Sequence, residues 1–228
     1  MIRAFLILLF IAGSAFAEPL PPAEKILLFA RQQLPSAPVR LTGSLKDRAP
    51  NGFVRRELAV EMELYWGEAP ARAVYRIQDK KSGALQLLEI KWNTGAPVFS
   101  FLQDGKADAA FEPSAEIAGL GITWADLSFS FLWSDDAQTV ETGKRLGRDC
   151  YVISVPRGDN RLLLWIEQES GRMLGAKEQN AAGKLVKEIK VVSVKEFDGL
   201  WMVKDLDIIQ PADNRRTSLR VENVEEVN

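Results

Sequence analysis

The side chains that most often do chemistry in a chain of this size are largely missing here. There is no histidine and one cysteine, Cys150, which removes the imidazole base, histidine metal sites and any intrachain disulfide. Asp135 and Asp136 stand side by side, but acidic neighbours in a loop are ordinarily solvated rather than a catalytic pair. An enzyme would need a Ser–Lys pair or two carboxylates, and no G-x-S-x-G, S-x-x-K or H-E-x-x-H pattern occurs. The expectation is a protein that is not an enzyme, with no catalytic residues, no metal and no cofactor.

Charge narrows the partners. Lys and Arg number 29 against 31 Asp and Glu, so the net charge is −2, and no basic surplus exists to neutralise a phosphate backbone; no nucleic acid is expected. With 46% hydrophobic and 26% charged residues among 228, the composition is that of a folded globular chain of one domain.

Residues 1–17 have the form of a cleavable secretory signal. Arg3 gives the positive start, residues 4–12 an apolar run too short to span a bilayer, and Ala15-Phe16-Ala17 a small-residue cleavage site before Glu18. Residue 18 is not cysteine, so the site for a lipid anchor is absent. The expectation is a single domain over 18–228, exported to the periplasm and touching membranes only peripherally. Cys150, in an oxidising compartment, is expected to be buried and inert.

The elements that must position any site alternate in two ways. After the proline-rich lead 18–22, residues 23–34 place Ile26, Leu27, Ala30 and Leu34 at helical spacing, with Pro35 as the stop. From Val39 the period becomes two. In residues 58–66, Leu58, Val60, Met62, Leu64 and Trp66 share one face, while Glu57, Glu61 and Glu63 take the other. Similar runs at 39–45, 72–78, 85–92, 98–103, 151–155, 161–167, 173–180, 185–195, 201–210 and 217–224 complete about eleven strands joined by short turns. Helices do not alternate with strands, which excludes a doubly wound fold. Between the two strand series, residues 124–133 read as one helix capped by Thr123, with more apolar surface than a surface helix needs. Gly119 and Gly121 before it could serve as the hinge of a lid.

The order of certain pieces resembles the outer-membrane lipoprotein-sorting protein family, the LolA-like proteins, in a divergent branch. The pieces are Ile122-Thr-Trp-Ala-Asp126-Leu127, Gly147-Arg-Asp-Cys-Tyr-Val-Ile153, Leu163-Leu-Trp-Ile-Glu-Gln-Glu-Ser-Gly-Arg-Met-Leu174 and Asp198-Gly-Leu-Trp-Met202. The resemblance covers nearly all of the chain after residue 17. It implies a mainly β fold with a few short helices: a curved antiparallel half-open barrel covered by short α-helices, with an apolar cavity for the acyl chains of lipoproteins or lipids. It also implies an inner-membrane transporter that loads the carrier and an outer-membrane acceptor that unloads it. A sensor or interaction module that binds lipoproteins without moving them is the alternative on the same fold.

A half-barrel must fill its concave face with its own side chains or with something apolar. The residues expected to line such a cavity are Leu58, Val60, Met62, Leu64, Trp66, Phe99, Phe101, Trp124, Leu127 and Phe131. Each has a plainer reading as core, since alternating strands always bury one face.

Overall fold

The computed structural model describes residues 19–93, 97–197 and 200–227. The expected leader 1–17, part of the turn at 93–97 and the turn at Asp198-Gly199 lie outside the described residues.

Thirteen strands form one antiparallel sheet that does not close. The first meander runs β1 (Val39–Arg48), β2 (Val54–Tyr65), β3 (Ala71–Asp79), β4 (Leu85–Trp92), β5 (Val98–Gln103) and the two-residue β6 (Lys106–Ala107). The second runs β7 (Gln138–Arg145), β8 (Arg148–Arg157), β9 (Asn160–Glu167), β10 (Met173–Gln179), β11 (Leu185–Phe197), β12 (Leu200–Gln210) and β13 (Arg215–Glu226). The two join where the first strand pairs with the last, from Val39 opposite Glu226 to Arg48 opposite Arg216. The order is therefore β6-β5-β4-β3-β2-β1-β13-β12-β11-β10-β9-β8-β7, with β6 and β7 at the open edges.

Two strands exceed the eleven expected, and both are edges. β7 reads Gln-Thr-Val-Glu-Thr-Gly-Lys-Arg and is mostly exposed, so no buried face imposes an apolar alternation on it. Elsewhere the alternation holds: Leu58, Val60, Met62 and Leu64 of β2 are all buried on the concave side. Across β3 they face Ala73, Tyr75 and Ile77.

One connection, residues 108–137, crosses the concave face, and helix α1 (Ala23–Arg31) lies beside it. α1 starts at Pro22 and buries Ala23, Ile26, Leu27 and Ala30. It ends three residues earlier than the spacing predicts, because Gln33 and Leu34 bond back to Ala30 and Arg31 in tight i→i+3 turns. Arg31 Nη1 donates to the Leu132 carbonyl at 2.8 Å, tying α1 to the crossing segment.

The single helix expected over 124–133 is instead two short pieces, α2 (Trp124–Leu127) and a 3-10 turn (Ser130–Trp133). Phe129 between them has φ 50°, a left-handed conformation. A continuous helix would confine its apolar residues to one stripe. The break lets both halves reach the sheet: Trp124 and Leu127 bury beneath α2, and Trp133 stacks on Trp92 with centroids 4.4 Å apart.

A buried charge cluster holds α2 in place. Thr123 and Asp126 form a reciprocal capping box. The fully buried Asp126 also accepts from Arg157 Nη1 and Lys187 Nζ, each at 2.7 Å. Arg157 reaches Glu178 at 3.0 Å, and Asn160 donates to the other Glu178 oxygen at 2.7 Å. Two carboxylates, from α2 and β10, thus meet two cations, from β8 and β11. Burial by itself would raise the Asp126 pKa, but Arg157 and Lys187 outweigh it and hold the carboxyl below its ordinary range.

The folded pKa of Asp126 lies below the unfolded value of about 4. Its stabilisation is therefore complete above that pH and is lost as pH falls through the folded value. Replacing Asp126 by Asn leaves Arg157 and Lys187 with Glu178 as the one carboxylate beside them and is expected to cost about 3 kcal/mol in urea unfolding at neutral pH. The acid limb of the variant's stability curve should be shallower than that of the parent.

Candidate functional site

The concave face is not wholly filled. An apolar cavity of about 370 Å³ lies between the centre of the sheet, α1, the crossing segment and the ends of the β7–β12 hairpins. Leu41 of β1, Met62 and Leu64 of β2, Tyr75 of β3, and Leu219 and Val221 of β13 form its sheet wall. Leu127, Phe129 and Leu132 close it from the crossing segment, and Ala30 and Leu34 close it from α1 and the turns that follow.

The opposite wall comes from the second meander through two irregularities in pairing. Between β11 and β12 the register shifts at Val191/Ser193 and again at Ser193/Val194. Strict alternation would send Val191 and Val194 to opposite faces, but the extra residue of a bulge restores the parity. Both then border the cavity together with Val203, the partner of Val194 in the ladder. Val194 remains 50% exposed, which marks this side as the mouth.

Polar groups concentrate near that mouth. Gln33, Arg148, Glu167 and Arg172 are the lining residues with amide or charged ends. Arg148 approaches Glu167 at 3.4 Å. Arg172 is exposed and forms an ion pair with no described carboxylate. Deeper in, Tyr75 is 1% exposed. Burial pushes its phenol pKa up. Trp66 Nε1 is buried without an acceptor.

Of the ten residues expected to line a cavity, the structure brings Met62, Leu64, Trp66 and Leu127 together on this one. The other six lie elsewhere. Val60 is sealed in the core, and Leu58 borders a separate recess beside Arg56, Asp79, Gln86 and Gln103. Phe101 and Trp124 pack on Phe111, with centroids 4.5 and 6.3 Å away, and Phe99 lies 6.2 Å from that ring. Phe131 is buried edge-on against Phe129 at 5.7 Å. Sequence reasoning passed over Tyr75, although its place between Ala73 and Ile77 in the alternation of β3 marks it as inward. It also passed over the bulged walls of β11 and β12, which no alternation rule signals.

The Gly119–Gly121 segment is fastened rather than hinge-like. Arg56 donates to the Ala118 carbonyl at 2.7 Å, Arg215 to that of Gly119 and Thr217 to that of Leu120. Gly121 sits at φ 75°, and a Cβ there would strike the Gln210 side chain. Cys150 is fully buried on β8, where burial raises its thiol pKa and so disfavours the thiolate. Among the described residues, no group of three His, Cys, Asp or Glu could hold a metal ion, and no helix is long and apolar enough to cross a membrane.

A family model described as "Uncharacterized protein" matches residues 109–227, just over half of the chain. No curated protein matches it. Among solved structures, a DUF1329 family protein from Desulfovibrio piger ATCC 29098 superposes with a TM-score of 0.72 at 13% identity, covering 90% of this chain and 91% of that one. A putative outer membrane lipoprotein-sorting protein domain from Vibrio parahaemolyticus gives 0.70 at 14% identity, covering 90% and 93%. The LolA superfamily protein NE2245 from Nitrosomonas europaea gives 0.67 at 14% identity, covering 92% and 95%. The open, curved antiparallel sheet with short covering helices is thus the LolA-like fold that the sequence pieces imply.

Tyr75 brings a phenol hydroxyl to an otherwise apolar stretch of the cavity wall. Tyr75→Phe is expected to leave unfolding stability unchanged or raise it by about 1 kcal/mol, read from urea denaturation. A loss of 2 kcal/mol or more would mean that the hydroxyl is satisfied in the folded state.

Proposed function

We propose, from the premise that the chain belongs to the family whose model covers residues 109–227 and has the LolA-like fold, that it is a periplasmic carrier. It takes acyl chains of lipoproteins or lipids into its apolar cavity and moves them toward the outer membrane. An inner-membrane transporter would load it and an outer-membrane acceptor would unload it.

The observation that supports this reading is the cavity itself. A sheet face that could have been packed solid instead leaves about 370 Å³ between Leu64, Tyr75, Leu127 and Val221, within the range of small-ligand sites. Burying each methylene there gains roughly 0.8 kcal/mol, so several chain carbons hold a cargo out of water without any bond being made or broken. Charged groups stand at the mouth, where a head group would remain wet. The expected signal at residues 1–17 would deliver the chain to the compartment that such a crossing requires.

Transfer of a fluorescent acyl lipid from donor to acceptor vesicles tests the role. The protein should accelerate transfer, and Val194→Trp, which crowds a half-exposed position at the mouth, should cut both binding and transfer about tenfold with an unchanged melting temperature. Tight capture without delivery would replace the carrier by a binding module. Absence of any acyl binding would overturn the cavity reading.

A further inference from the structure

We propose that the free inner edge of β13, residues 221–226, takes the polypeptide of an acylated cargo as an added strand. This rests on the acyl-binding reading above and narrows the cargo to a molecule that carries both a lipid tail and an extended backbone.

The sheet splits at one level. The β12–β13 ladder ends with Asp205 opposite Arg220, although β13 continues through residues 221–226 and β12 begins at Leu200. Asp205 is also the partner of Ser193, at the centre of the β11 irregularity. On the other flank, β1 pairs Thr42 with Asn223 and Gly43 with Val221, which leaves Glu222 as an extra residue in β13. Such a bulge bends its strand and adds twist, so β13 follows β1 and parts from β12. Glycine is required at position 43, where a Cβ would lie 2.1 Å from the Arg220 carbonyl oxygen. Asp205 pins the corner of the split, accepting from the Ser193 hydroxyl at 2.6 Å and pairing with Arg220 at 3.4 Å.

Past that corner, residues 221–226 keep β1 on one side and have no paired strand on the other. In an antiparallel strand alternate residues turn both N–H and C=O to the same side, so this edge presents about three such donor–acceptor pairs. Among the described residues, no turn or loop bonds to their backbone. The split also opens on the cavity, which Val221 lines from one side of it and Met202 and Val203 from the other. A tail in the cavity and a strand on the edge are therefore continuous sites for one molecule. A free lipid has no row of amides to offer such an edge, whereas a polypeptide does.

The side chains along the edge are acidic. Glu225 lies 3.4 Å from Arg40, which is shared with Glu63 at 3.0 Å. Glu222 accepts from the Ser44 hydroxyl, and neither Glu222 nor Glu226 forms an ion pair among the described residues. Lys204 stands on the β12 side of the split and likewise pairs with none of these three carboxylates. Lysine or arginine on the added strand would match them.

Calorimetric titration of the purified, delipidated protein tests this with an eight-residue peptide of alternating threonine and lysine, dodecanoylated at its N-terminus. Two further versions carry N-methyl groups on one or the other alternate set of amides. A strand added to a single edge uses one set only, so one version should bind about tenfold more weakly and the other as the parent does. The parent should slow amide hydrogen exchange within residues 221–226. Replacing its lysines by glutamate should weaken binding about fivefold, and Glu222→Gln with Glu226→Gln should remove that preference at an unchanged melting temperature. If both N-methylated versions bind as the parent does, strand addition is overturned and acyl binding stands. The peptide without its dodecanoyl group binding as tightly as with it would overturn the cargo assignment in favour of a segment of a partner protein. If neither the acylated peptides nor dodecanoate bind, the acyl-binding reading itself fails.

Discussion

A single carboxylate, that of Asp126, governs how the open sheet is covered. It lies at zero exposure between Arg157 and Lys187 while also capping the helix that bears it. A charge so buried is tolerable only when both its partners and its remaining lone pairs are supplied, which here requires β8, β10 and β11 to be in their final positions. The geometry of the cluster therefore works as a registration device: the crossing segment seats in one place and leaves Leu127, Phe129 and Leu132 facing the sheet across a gap.

That gap follows from how the fold is assembled. Thirteen strands curve around one concave face, but only α1 and a connection of about thirty residues are available to cover it. The Phe101–Phe111–Trp124 aromatic group fills the β5 side. The Asp126 cluster and the carbonyls bonded to Arg56, Arg215 and Thr217 anchor the lower rim. What remains uncovered is the strip from Leu64 across the β1–β13 junction to the bulged ends of β11 and β12. The cavity is thus the part of the concave face that the chain does not fill for itself, and its rim carries Arg148, Glu167 and Arg172.

Much of this was legible beforehand, for a physical reason. A strand with one buried face must alternate, so Leu58, Val60, Met62 and Leu64 declared both the strand and its inward side. The proline before Ala23 and the cap residue Thr123 before Trp124 announced two helix starts. Edge strands escaped notice because neither face of β7 is buried, and nothing then selects its residues for pattern. The break at Phe129 was hidden as well, since an all-round apolar segment reads as helix whichever way it turns. For the candidate site, four of ten expected wall residues came together; the other six are equally apolar but lie in the core, on the separate recess beside Asp79, or among the aromatic contacts of the crossing segment.

The amino-acid order by itself determined the class of fold, the face of each regular strand and the absence of imidazole chemistry, because these depend on residue type and local spacing. Only the tertiary structure decided which inward residues are packed and which border empty space. It also decided that Val191 and Val194 share a side, and that Arg172 stands without a described carboxylate while Asp126 holds two cations. Those outcomes depend on register, bulges and the seat of a distant connection, all of them relations between residues far apart in the chain that no local pattern encodes.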